Sequence, residues 1–77
     1  MEQKIRQSNI LGRNLKKLRV KAGLTQEETV IKLELMGHRI TRSIYSQMEA
    51  GQYNVRISEI KALKEIFNAS YEDLFDD

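Results

Sequence analysis

The sequence predicts a small all-α domain of five helices, and three observations carry that expectation. Apolar residues recur at helical spacing nearly throughout, and no stretch alternates with the period of two that a half-buried strand requires. Helix-opening signatures, a hydroxyl three residues ahead of a carboxylate, stand at Thr25 with Glu28 and at Ser70 with Asp73. The chain holds no proline, no Ser-Gly linker, no repeat and no low-complexity tract, so no domain boundary falls inside it. The expected organisation is a loose arm over residues 1–9 followed by a single domain over residues 10–77.

The first helix is expected over residues 10–22 with Asn9 as its cap. At about 100° per residue, Leu11, Leu15, Leu18 and Ala22 fall on one stripe, with Arg13, Lys16, Lys17 and Lys21 mostly away from it. Gly23 ends it, since glycine tolerates the left-handed backbone that follows a last turn. The second helix opens at the Thr25 box and runs to about residue 36, with Gly37, His38 and Arg39 making the turn. The third begins after Ile40 with Thr41 as cap and ends near Ala50, ahead of Gly51. Arg42, Ser46, Ala50, Ser43 and Gln47 share one short, polar face of it, whereas Ile44, Tyr45 and Met48 share the other. The fourth, residues 58–67, is expected to bury Ile60, Leu63, Ile66 and Phe67. The last, from the Ser70 cap, presents Tyr71, Leu74 and Phe75.

With 77 residues there is room for one small core, and a balance of 40% hydrophobic to 31% charged residues is that of a folding chain, not a disordered one. Cysteine is absent, which leaves neither disulfides nor thiolate metal sites. No apolar run is long enough for a membrane span, and the amino terminus is polar, so a cytoplasmic protein with no membrane association is expected. Charge is unevenly spread: residues 1–22 carry a net +6, residues 23–56 are neutral and residues 57–77 carry −4. A basic leading third suits an end that meets a polyanion.

A capped second helix, a turn and a third helix with a polar outer face form the layout of a helix-turn-helix DNA reader. The stretch from Leu18 through Gly23-Leu24-Thr25-Gln26 to Glu28, the stretch from Ile40 through Arg42-Ser43-Ile44-Tyr45-Ser46-Gln47 to Gly51, and the ending Ala69-Ser70-Tyr71-Glu72-Asp73-Leu74-Phe75 occur in that order. Together they resemble the XRE-type, lambda-repressor-like helix-turn-helix family, over residues 10–75. The resemblance implies a compact domain of four or five helices that binds double-stranded operator DNA as a transcription regulator. It matches Arg42, Ser43 and Gln47 to base-facing positions and Gln26 to a phosphate-touching one, and it implies that Arg19 and Glu49 form a salt bridge tying the first helix to the third. Further phosphate donors are expected at Arg39, Ser46, Gln52, Tyr53, Asn54 and Arg56.

Three departures qualify the match. Thr29 stands where leucine is usual, and Ala50 where a larger polar residue is frequent. The segment over residues 34–41 is about five residues longer than the tight turn, which makes this a lengthened-turn variety. Ile31 and Leu35 are expected to pack on that turn, Met36 and Met48 to fill the core, and His38 to be an ordinary polar loop residue.

Catalysis finds no support. A single turn histidine serves no Ser-His-Asp set, and there is no Gly-rich phosphate loop or helix face with paired metal ligands, so no enzyme activity, cofactor or metal is expected. The acidic run Glu72, Asp73, Asp76, Asp77 is expected as a solvated end. A single recognition helix reads few base pairs, so a homodimer is expected, with Tyr71, Leu74 and Phe75 as its interface. Two other readings keep the same fold: a protein-interaction module, and the DNA-binding antitoxin of a toxin pair, for which a protein partner would be required.

Overall fold

The computed structural model describes residues 3, 4 and 9–77. Among these the chain forms α1 (Asn9–Lys21), α2 (Gln26–Leu35), α3 (Arg42–Glu49), α4 (Ile57–Ile66) and α5 (Tyr71–Phe75). Both expected capping boxes are present. Thr25 Oγ1 accepts from the Glu28 amide at 3.0 Å while Glu28 Oε1 accepts from the Thr25 amide at 2.9 Å, and Ser70 and Asp73 repeat the exchange at 3.0 Å each way. Thr41 caps α3 by accepting from the Ile44 amide. A further opening, not anticipated, occurs at α4: the Arg56 amide donates to Glu59 Oε1 at 2.8 Å, which sets the helix start at Ile57 and satisfies one oxygen of a buried carboxylate. Asn9 lies within α1 instead of capping it.

Helix ends are closed by a common device. After α2, Gly37 turns left-handed at a φ of +91°; its amide donates to the Glu34 carbonyl and the His38 amide to that of Leu33, both at 2.9 Å. These two back-bonds satisfy carbonyls that the helix leaves without partners. The same pair closes α1, α3 and α4, with Asn68 in the left-handed position after α4.

Packing is pairwise: α1 lies against α3 and α5, and α2 lies against α3 and α4. The core gathers Leu11 and Leu15 of α1, Leu33 of α2, Tyr45 and Met48 of α3, Ile60, Ala62 and Leu63 of α4, and Leu74 of α5, with Ile40, Val55 and Phe67 from the connections. Besides Glu59, two polar side chains are buried with their partners in place. Asn14 Nδ2 donates to the carbonyls of Leu74 (2.9 Å) and Asp76 (2.8 Å), tying α5 to α1, and Thr29 Oγ1 donates to the Thr25 carbonyl at 2.9 Å. That bond explains how threonine fits where leucine is usual in the family the sequence resembles: the hydroxyl finds an acceptor one turn back, at the cap of its own helix.

Several expectations need correction. Leu74 is 0% exposed, so it belongs to the core and has no surface to give to a dimer interface; Tyr71 and Phe75 remain exposed beside it. Ile31 (54% exposed) and Leu35 (82%) do not pack on the lengthened turn, and Met36 (41%) does not fill the core; the turn residues Arg39, Ile40 and Thr41 lie with Val30 and Glu34 of α2 instead. Ala22 is exposed and Leu18 and Ile66 are half-buried. The arm is not loose where it is described: the Gln3 carbonyl accepts from the Ile57 amide at 3.1 Å, and Lys4 pairs with Arg56 in an isolated antiparallel bridge. Residues 1, 2 and 5–8 of that arm lie outside the described residues.

Candidate nucleic-acid interface

The third helix is only eight residues long, and its two faces have opposite fates. Tyr45 and Met48 are buried and Ile44 is half-buried against the core, which orients the opposite face outward. Arg42, Ser43, Ser46 and Gln47 are exposed on that face, and none of their side chains bonds to another described residue. A short helix carrying a guanidinium, an amide and two hydroxyls into solvent offers donors and acceptors to base edges.

The anchor of that helix is ionic. Glu49, in its last turn, accepts from Arg19 of α1 twice, from Nε at 2.7 Å and from Nη2 at 3.2 Å. Arg19 Nη1 also donates to the Leu24 carbonyl at 2.9 Å, so each of the guanidinium nitrogens makes a bond. Glu49 Oε1 takes one more bond, from Gln26 Nε2 at 3.1 Å. Burial pushes the Glu49 carboxyl upward, but the hydrogen bonds from Arg19 and Gln26 outweigh it and hold the group below its ordinary range. Donating to Glu49 in turn pushes Arg19 up. The Tyr45 hydroxyl is buried close to this pair without a hydrogen bond of its own, and burial pushes its pKa far up. Gln26 is therefore not a freely solvated first-turn residue: one amide hydrogen is committed to Glu49, leaving its other hydrogen and its oxygen for a ligand.

Beside the amino-terminal half of α3, Arg39 and Arg56 line one hollow with His38, Ile44, Tyr53 and Glu59. Both arginines are exposed, and Tyr53 is half-buried against the core. Gln52 and Asn54 are exposed in the loop that follows α3, whose start is fixed by the Gln52 amide donating to the Gln47 carbonyl at 2.8 Å. The expected site residues thus fall into three groups: the outer face of α3, Gln26 at the start of α2, and the Arg39 and Arg56 hollow with its loop.

Residues 10–76 match the family of helix-turn-helix domains. The chain belongs to that family. Among solved structures it is similar to the restriction-modification controller protein C.AhdI from Aeromonas hydrophila, at 28% identity and a TM-score of 0.74, over 87% of this chain and 94% of that one. The DNA-binding domain of BldD shares the fold at 19% identity and a TM-score of 0.69, over 88% and 92% of the two chains. No curated protein sequence matches the chain. It is a DNA-binding helix-turn-helix regulator of the XRE type.

Two residues of this helix-turn-helix chain escaped the sequence reading. The bridge to Arg56 sets Lys4 beside the candidate phosphate loop, a long-range pairing with no local signal. Gly12 allows α1 to approach α3 closely, since a Cβ there would sit 2.6 Å and 2.7 Å from the carbonyl oxygens of Glu49 and Met48. At about 100° from Leu11 it falls outside the apolar stripe, so the helical periodicity carried no signal for it. Among the described residues, no helix is long and apolar enough to cross a membrane.

Proposed function

We propose that this chain is a sequence-specific transcription regulator that sets α3 in the major groove of operator DNA and binds as a homodimer. The observation that carries the reading is the division of α3, with its apolar face packed in the core and Arg42, Ser43, Ser46 and Gln47 left exposed and unbonded on the other. Arg42 and Gln47 are the base readers, because their forked groups match guanine and adenine edges respectively. Gln26, Ser46, Arg39, Arg56 and the loop of Gln52, Tyr53 and Asn54 hold the phosphates on either side and fix the register. The likeness to a restriction-modification controller protein supports a regulatory role.

The dimensions of the domain support that assembly. The domain measures 31 × 26 × 20 Å, so two copies side by side can present their α3 helices about 34 Å apart, one turn of the duplex. The test is selection of binding sites from random duplex DNA, followed by Arg42→Ala and Gln47→Ala. Each variant is expected to relax preference at one or two base pairs, with a loss of roughly 1–3 kcal/mol per bidentate contact. Equal losses on selected and random DNA would refute the assignment.

A further inference from the structure

The largest exposed apolar side chains of α2 lie at its carboxy-terminal end. Leu35 and Met36 line a groove with Ile66, at the end of α4, and Ile31 stands one turn before Leu35 on the same helix. A contiguous apolar surface of this kind is unusual on a small monomeric domain, where such side chains normally occur singly. The groove has a charged border of two signs, with Lys32 of α2 and Glu65 of α4 both exposed. Neither is in a salt bridge among the described residues.

We infer that this groove is where a second copy of the chain docks, with Leu35 and Met36 of each copy packed against Ile66 and Leu35 of the other. The inference rests on the homodimer proposed above and names its surface. A two-fold contact presents the same patch from both sides, so whatever borders it on one copy meets its counterpart in reverse order on the other. With opposite charges on the two rims, Lys32 of each copy stands opposite Glu65 of the other. The alternative surface on α5 is already engaged within its own copy. Tyr71 and Phe75 are exposed there, but the Lys64 ammonium already lies 5.1 Å from the centre of the Tyr71 ring, Asp73 is held in the α5 cap, and Asp77 is paired with Arg13 at 3.1 Å. A two-fold contact at that end would have to displace the contacts of Lys64 and Arg13 within each copy, which disfavours it. Position also favours the groove. Leu35 lies nine residues from Gln26, about 14 Å along α2, so docking there leaves the candidate phosphate contact open.

Sedimentation equilibrium of the full chain in the absence of DNA tests this. Because Leu35 is already in solvent, Leu35→Asp leaves the core untouched and is expected to keep its helical circular dichroism while weakening self-association at least about 30-fold. Lys32→Glu and Glu65→Lys are each expected to weaken it about 5-fold, since each change spoils two symmetric pairs, and the combination is expected to restore it. Self-association that survives Leu35→Asp but not Phe75→Asp would move the interface to α5 and overturn the inference while sparing the homodimer. A wild-type chain that stays monomeric at high concentration and binds its selected DNA as one copy would overturn both. Failure of the combined charge exchange to restore association would refute the two-fold pairing.

Discussion

Replacing Glu49 by alanine removes the acceptor of three hydrogen bonds and leaves the Arg19 guanidinium without its carboxylate. The Arg19 and Glu49 side chains are 12% and 5% exposed, so the pair is close to buried, and breaking such a pair from one side costs roughly 3–5 kcal/mol. Arg19 keeps its bond to the Leu24 carbonyl and a little solvent, which places the loss at the lower end, about 3 kcal/mol. A domain of this length has a total stability of roughly 4–12 kcal/mol. Thermal unfolding followed by circular dichroism is therefore expected to show a Tm lower by about 12–24 °C. The mechanism is separable from loss of packing by a double-mutant cycle with Arg19→Met. If the cost is the stranded charge, the double variant is expected to be more stable than Glu49→Ala alone. A loss below about 1 kcal/mol, or a double variant as unstable as the two singles added together, would refute the reasoning.

Gly12→Ala adds a methyl group where backbone atoms of α3 already stand within 2.9 Å, so the roughly 1 kcal/mol that alanine gains in helix propensity is outweighed. Urea denaturation is expected to show a net loss of about 1–3 kcal/mol, and a stabilised variant would contradict the close approach. The Glu49 carboxyl lies below its ordinary value near 4.5, so its stabilising contribution is complete above that pH and is lost as pH falls through the lower folded value. The stability difference between wild type and Glu49→Gln is accordingly expected to shrink between pH 6 and pH 3; a constant difference would show that the pair is not ionic. Arg56→Ala is expected to flatten the slope of log affinity against log salt by about one unit, and an unchanged slope would remove Arg56 from the interface.

Much of the local structure was legible because its causes are local. A hydroxyl at Thr25 or Ser70 meets the amide three residues on whatever the rest of the chain does, and a left-handed residue after the last turn ends a helix by its own backbone. The polar face of α3 was legible too, since Tyr45 and Met48 fix the orientation of Arg42 and Gln47 once they are buried. The Arg19 and Glu49 contact was expected from resemblance, and Arg19 sits on the rim of the α1 stripe. Polar burial was less accessible. Asn14 and Glu59 look like surface residues until the carbonyls of Leu74 and Asp76 and the amide of Arg56 are brought to them.

By itself the sequence determined the five helices, the caps at Thr25, Thr41 and Ser70, the glycine stops after α1, α2 and α3, and the apolar side of α3, because these depend on interactions within about four residues. Only the tertiary structure decided which apolar sides find a cover. Leu74 and Leu35 are indistinguishable as leucines on amphipathic helices, yet the first closes over α1 while the second stands in solvent. Burial is a property of two surfaces meeting, and the second surface lies far away in the chain. The same reason puts Gly12 against the end of α3, Gln26 on Glu49 and Lys4 beside Arg56.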